Sequence, residues 1–374
     1  MQTFTVPAGV TTITIGAKGA QGGSVTATCA ASGGLGAHMV GDFAVTPGEV
    51  LAILVGQQGL SDGHDAGGGG GSFVVRQSST APLVIAGGGG GATNNVQQCG
   101  NNRNGMDASI TNSGTASADG LIAGGAGGGG GGASTGAGGG GGGFITDGTA
   151  GSSGPGGNGK SFLNGGAGGS VAFGTAGGYG GGGTGWQTGG NGGGGGGYSG
   201  GGTNGQTPYS GGGGGGSLNA GDNQTNTAGV QAGNGEVSIS WSEVPGAPTG
   251  VTATAGNAQV SLAFTAPADN GGSPILSYSA SCTPSGGGTA ITAQGSGSPI
   301  VVPSLTNGAA YDCTVTASNA VGAGAASTSV AVTPRAPAPA PAPTAVPSLS
   351  EWGLMLLGLL AAGLGMRSLR RQQP

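Results

Sequence analysis

Short runs of alternating apolar and polar residues open the chain. In TFTVPAGVTTITIGAKGAQGG, residues 3–23, Phe4 and Val6 alternate before a turn at Pro7–Gly9, and Ile13 and Ile15 alternate after it. That spacing predicts two strands. GDFAVTPGEVLAILVGQQG (41–59) repeats the arrangement, SFVVRQ (72–77) and PLVIAGG (82–88) add two more strands, and EVSISW (236–241) adds another. Several short strands with Gly/Pro turns predict a β-sandwich or jelly roll. Further alternating stretches occupy 244–334, which is richer in Val, Thr, Ser and Ala. A Pro/Ala linker follows at 335–345, a composition that favours an extended, stiff spacer. Residues 346–374 hold one apolar run followed by arginines.

Composition changes the picture for residues 1–243. Of 374 residues, 99 are Gly, against an average usage of about 7%. Gly brings no side chain to a core and loses the most entropy on ordering. The Gly-dense part is therefore either a flexible linker or a backbone ordered by hydrogen bonds between its own segments. Pure Gly tracts recur at 67–71, 87–91, 127–132, 138–143, 192–197 and 211–216. In the polyproline II conformation six residues span roughly 19 Å, with three residues per turn and no internal hydrogen bonds. Neighbouring helices can then satisfy the outward N–H and C=O groups. Similar tract lengths, sparse Ser within them, and large residues between them (Phe144, Phe162, Phe173, Tyr179, Trp186, Tyr198, Tyr209) favour an ordered bundle whose helices turn at those residues.

The order of these motifs resembles the glycine-rich extracellular domain of the anaplastic lymphoma kinase and leukocyte tyrosine kinase receptors. The stretches that carry the resemblance are VPAGVTTITIGAKGAQGG (6–23), LAILVGQQG (51–59), GGGGGSFVV (67–75), PLVIAGGGG (82–90), GGGGGGYSGGG (192–202) and AGNGEVSIS (232–240). The resemblance implies a tumour-necrosis-factor-like jelly roll with inserted polyglycine helices, a lattice similar to that of some phage tail adhesins, and a role in binding or display. It does not imply a kinase, because the chain has neither an HRD loop nor a DFG motif.

Residues 245–334 resemble a fibronectin type III module, through PGAPTGVTATAGNAQVSLAFTAPADNGGSPILSYSASC and SLTNGAAYDCTVTASNAVGAG. Phe264 stands where that family usually has a core Trp, and Tyr278 lies on the next strand. Tyr311 with Leu305 fits a corner in which a buried tyrosine hydroxyl bonds back to the chain. In this topology Cys282 and Cys313 fall on neighbouring strands, so the resemblance implies a disulfide between them, the alternative being two free thiols. Cys29 and Cys99 are left for a second pair. An even cysteine count suits an oxidising compartment.

The tail, VPSLSEWGLMLLGLLAAGLGMRSLRR (346–371), resembles the C-terminal sorting signals recognised by exosortase-type transpeptidases, in the Ile-Pro-Thr-Leu variant. Val346, Pro347, Ser348 and Leu349 stand at that motif, Trp352 follows, and Arg367, Arg370 and Arg371 close the chain. From Trp352 to Leu369 a helix would span about 27 Å, against a bilayer core of about 30 Å, with the arginines on the cytoplasmic side. The resemblance implies a processing enzyme, passage through the inner membrane, cleavage near the motif, and an association with extracellular polysaccharide. An ordinary membrane anchor is the alternative. Export requires an N-terminal leader, while Met1 leads directly into a strand, so a start upstream of Met1 is expected.

Charge and the remaining motifs exclude more than they assign. The net charge is −5, and the basic residues cluster only at the C-terminus. Nucleic-acid binding needs a basic patch, so no nucleic-acid partner is expected. Residues 154–161, GPGGNGKS, fit the phosphate-loop pattern but lack the flanking strand and helix that the motif requires. Asp62, His64 and Asp65 read as a solvated loop or a cation site. The cysteines make no CxxC pair, and no catalytic set, cofactor site or metal site is assigned.

The chain is thus expected to be mainly β: a jelly-roll and polyglycine domain (1–243), a fibronectin type III domain (244–334), a linker (335–345) and a sorting signal with a transmembrane helix (346–374). The function expected is a non-catalytic, exported bacterial surface or matrix protein with a structural or adhesive role. The alternative is a surface module for a specific protein or glycan ligand.

Overall fold

The computed structural model describes residues 1–26, 29–61, 63–94, 103–151, 157–170, 175–183, 191–205, 210–338, 340 and 353–362. The chain forms two compact units. One comprises Met1–Gly246, Ala268–Leu276 and Ser318–Ala325; the other comprises Ala247–Pro267, Ser277–Ala317 and Ala326–Pro374.

Nine strands belong to the first unit: β1 (Gln2–Thr5), β2 (Thr12–Lys18), β3 (Gly36–Ala44), β4 (Val50–Leu54), β5 (Ser72–Arg76), β6 (Pro82–Ala86), β7 (Leu218–Asn219), β8 (Asp222–Gln231) and β9 (Glu236–Trp241). They build one sheet in the order β1-β4-β5-β6-β7 and another in the order β8-β3-β2-β9. The core between the sheets follows the period-two rule. Ile13, Ile15 and Ala17 of β2 are fully buried, together with Ala37, Met39 and Phe43 of β3 and with Leu51, Val74 and Val84 of the facing sheet.

The five-stranded sheet reads as near-continuous apolar runs (LAIL, FVV, LVIA) because both its faces are covered. Val74 points into the first core, while its neighbours Phe73 and Val75 join Leu54, Ile85, Phe144 and Phe162 in a second one. That second core is a stack of rings from between the glycine tracts. Phe73 lies 5.1 Å from Phe162, Phe162 lies 5.4 Å from Phe144, and Phe144 lies 6.3 Å from Tyr198, centroid to centroid. Tyr179 is partly exposed, and Phe173, Trp186 and Tyr209 lie outside the described residues.

Eight further strands follow: β10 (Thr249–Gly256), β11 (Gln259–Thr265), β12 (Ser277–Pro284), β13 (Ile291–Gly295), β14 (Ile300–Val302), β15 (Tyr311–Ser318), β16 (Ala323–Ala326) and β17 (Val330–Val332). They form a sheet ordered β10-β11-β14 and a sheet ordered β13-β12-β15-β16, with β17 also paired to β15. Val260, Leu262, Ala280, Val302, Val315 and Ala317 are fully buried. Phe264 packs on Tyr278 with ring centroids 4.8 Å apart. Tyr311 is buried and its hydroxyl accepts the Thr306 N–H at 3.1 Å, the back-bond expected of the corner.

The expected mainly β architecture is what the chain adopts, with one difference. One strand, β8, has no apolar alternation to announce it; it exists because β3 pairs with it along one edge. At the C-terminus the described helix covers 353–362. The rest of the expected span, Trp352 and residues 363–369, lies outside the described residues. Among the described residues no helix is long and apolar enough to cross a membrane.

Candidate functional site

The glycine tracts form the part of the molecule that side chains do not explain, and their hydrogen bonds give its geometry directly. In the tract 192–197, Gly193 N–H donates to the Ala66 carbonyl, Gly194 to Gly139 and Gly195 to Gly213. The cycle then repeats: Gly196 donates to Gly69, Gly197 to Gly142 and Tyr198 to Gly216. Each third residue returns to the same neighbour, as a helix of three residues per turn requires. The carbonyls of Gly193, Gly194, Gly195 and Gly196 accept from Gly91, Gly182, Gly201 and Gly88. The tract therefore donates to three neighbouring segments and accepts from three others.

The tract 67–71 shows the same period. Gly68 donates to Gly182, Gly69 to Gly89 and Gly70 to Gln57, while Gly67 donates to Leu60, one turn from Gln57 on the same segment. The expected polyglycine bundle is thus an interlocked lattice rather than a flexible linker. Its tightness excludes side chains. A Cβ at Gly195 would stand 2.1 Å from the Gly88 oxygen, and one at Gly200 would stand 1.8 Å from the Gly141 oxygen. The lattice interior presents amides already committed to one another. Such an interior holds its shape through backbone hydrogen bonds.

Three serines bridge separate segments at the ends of glycine tracts, Ser72 and Ser217 beside the five-stranded sheet and Ser199 within the lattice, and sequence reasoning missed them. Ser72, Ser199 and Ser217 are fully buried. The Ser72 hydroxyl donates to Lys18 O at 2.6 Å and accepts from Gly56 N–H at 3.0 Å. That of Ser217 donates to Ser109 O at 2.6 Å and accepts from Gly87 N–H at 3.0 Å. That of Ser199 donates to Asn112 O at 2.6 Å and accepts from Gly128 N–H at 3.1 Å. Each hydroxyl replaces one donor and one acceptor where the chain leaves the threefold lattice. The available signal was a serine directly after a tract, as in Gly71-Ser72 and Gly216-Ser217, or one residue further on at Ser199.

Two carboxylates clamp lattice edges. Burial works to raise the Asp147 pKa, but the Ser161 N–H, the Asn164 amide and the Lys160 ammonium outweigh it and hold the group at about 2. Burial likewise opposes ionisation of Asp119, and the Ser117 hydroxyl, the Asn204 amide and the Leu121 N–H bring its pKa below the usual value. The Asp147 cluster also disposes of the phosphate-loop pattern. Lys160 Nζ is 3.0 Å from Asp147 Oδ2, and Ser161 caps a single 3-10 turn, Phe162–Asn164. A phosphate site of that type needs a free lysine and a true helix N-terminus.

The remaining sequence-predicted residues fall as follows. Cys282 and Cys313 are joined, with Cα atoms 4.1 Å apart, and both are fully buried on the adjacent strands β12 and β15. Cys29 is held in a disulfide, and Cys99 lies outside the described residues. Asp62 also lies outside them. Asp65 is buried and accepts the Thr93 hydroxyl at 2.9 Å, and the His64 carbonyl accepts the Asn94 N–H. Among the described residues no group of three or more His, Cys, Asp and Glu could hold a metal ion. Val346, Pro347, Ser348, Leu349, Trp352, Arg367, Arg370 and Arg371 lie outside the described residues. The adjoining helix, 353–362, exposes Leu354, Met355, Leu356, Leu357, Leu359 and Leu360.

Comparison with known families assigns two segments. Residues 246–333 match the fibronectin type III domain. Residues 344–371 match the IPTL-CTERM motif. Neither match is to a catalytic domain, and the pair fits an exported surface protein, the motif implying a processing enzyme of the exosortase type. Among solved structures, one of titin kinase and its flanking domains is 25% identical over 25% of this chain, with a TM-score of 0.23. The FN5 domain of Drosophila Lar is 22% identical over 25% of this chain and 98% of its own, with a TM-score of 0.22. The chain spans 17% of the length of that titin chain. Among curated proteins nothing matches.

Proposed function

We propose that this chain is an exported bacterial cell-surface or extracellular-matrix protein with a structural and adhesive role, delivered by an exosortase-type enzyme that cleaves near Val346–Leu349. The match of 344–371 to a C-terminal sorting motif carries the reading. It is supported by the body the tail would deliver. A lattice closed by its own amides is a rigid display scaffold, and the fibronectin type III match adds a module used as a spacer. The resemblance of residues 1–243 to the glycine-rich receptor domain points the same way, toward binding or display. The tail would engage the inner membrane during transit, and the mature body would contact extracellular polysaccharide or a surface protein.

Fractionation of cells with and without the sorting enzyme tests the proposal. With the enzyme, the protein should appear outside the inner membrane and lack the mass of residues beyond the motif. Without it, the full-length chain should stay with the membranes. Identical fractionation and identical mass in the two strains would defeat the proposal.

A further inference from the structure

β8 is an edge strand of its sheet and the longest one that the first unit leaves open. It has ten residues, against four in β1, two in β7 and six in β9. Asp222, Asn223, Gln224 and Thr225 are exposed in unbroken succession, and Thr227 and Ala228 are exposed after them. Successive strand residues point to opposite faces, so exposed side chains stand on both faces, with Asn226 half-buried where its amide oxygen accepts from Asn219. Its outer edge presents a row of backbone donors and acceptors, a template for another strand. Proteins usually blunt such edges with Lys or Pro, and β8 carries neither. Its irregularities are two register shifts against β3 and positive φ at Asn223 (47°) and Gly229 (60°). They leave a regular ladder at Thr225, Asn226 and Thr227, opposite Val40, Met39 and His38.

We propose that β8 pairs antiparallel with β8 of a second copy of this chain, about a two-fold axis at Asn226. The strand is uncharged from Asn223 to Gln231. It therefore has no charge with which to select a charged partner and no like-charge penalty against itself. The two-fold places Thr225 opposite Thr227 of the other copy, on one face, and Thr–Thr pairs are among the favourable cross-strand pairs. Asp222, the one charged residue, would face Val230 of the other copy. It would lie about 26 Å from its own symmetry mate, eight residues away at about 3.3 Å each. The contact is isologous and closes at a dimer, joining two four-stranded sheets into one of eight strands.

A cysteine placed on the axis tests the register. Opposed Cα atoms in an antiparallel pair lie about 4.5–5.5 Å apart, within the reach of a disulfide. No described cysteine is free to interfere. Full-length protein carrying Asn226→Cys, held in detergent micelles and mildly oxidised, should run mostly as a dimer on a non-reducing gel. Asp222→Cys should stay monomeric, and adding Thr225→Lys and Thr227→Lys to Asn226→Cys should abolish the dimer. Association through the apolar tail would link the 222 and 226 variants alike, and that result, or no linkage at 226, overturns the proposal. Should Asn226→Cys fail to fold, amide exchange of the unaltered protein decides. Protection across 223–229 should rise with protein concentration, and concentration-independent exchange rejects the pairing.

Discussion

Gly195 and Gly88 approach so closely that a methyl group on Gly195 would stand 2.1 Å from the Gly88 carbonyl oxygen. The Gly88 amide in turn donates to Gly196, and Gly195 itself donates to Gly213. The contact is backbone against backbone on every side, so no flexible side chain can yield. Gly195→Ala should therefore act as an overpacking substitution and destabilise the first unit by about 1–3 kcal/mol or more. Gly297 is the control, because a methyl group there would meet nothing within 4 Å. Gly297→Ala should change stability by no more than about 0.5 kcal/mol. Urea titration of both variants checks the contrast, and equal midpoints would mean that the lattice yields.

The hydroxyl of Ser217 connects residues 130 positions apart in the chain by accepting the Gly87 N–H. Ser217→Ala would leave that buried amide without a partner. The expected loss is about 1–3 kcal/mol, the penalty for an unsatisfied buried group. Exposed Ser78, mutated to Ala, should leave the thermal midpoint nearly unchanged. A Ser217→Ala protein that melts with the unaltered chain would show that water replaces the hydroxyl at no cost.

These two sites also mark where the sequence stops being informative. The strands with inward Ile, Val or Leu were legible because burial imposes a period of two. The polar strand β8 was not, since an edge strand whose side chains are mostly exposed needs no apolar pattern. Recurring tracts foretold a lattice, but not its register. A glycine carries nothing that marks Gly213 rather than Gly214 as the acceptor for Gly195. Phe144, Phe162 and Tyr198 were recognisable as large residues between tracts, yet the stack they form, which meets Phe73 through Phe162, depends on the sheet that the tracts bring beside them. In the fibronectin-like sandwich, a resemblance with fixed strand order located Tyr311, Cys282 and Cys313 where periodicity alone would have placed only strands.

The Cys282–Cys313 bridge closes a sequence separation of 31 residues. In the chain-entropy account a loop of that size stabilises by roughly 3–4 kcal/mol. The double variant Cys282→Ala/Cys313→Ala should lose a similar amount. Calorimetry can assign the loss to the second unit, because the lattice does not depend on this bond. A transition that the double variant leaves unchanged would contradict the chain-entropy account for this bridge.

Asp147 gives the lattice an acid-sensitive edge. Its carboxyl is held at about 2, from a usual 3.8, because the donors at Ser161, Asn164 and Lys160 favour the charged form more than burial opposes it. A carboxyl whose folded value lies below its unfolded value contributes stability that is fully present above pH 3.8. That contribution is lost as the pH falls toward 2. The segment it clamps, Lys160–Asn164, carries Phe162, the ring between Phe73 and Phe144. Loosening there should thus be felt in the second core of the sheet. Asp147→Asn removes this titration, so the variant should be less stable than the unaltered protein at pH 6 and approach it near pH 2. Thermal melts across that range provide the comparison, and curves that stay parallel would exclude Asp147 as the titrating group.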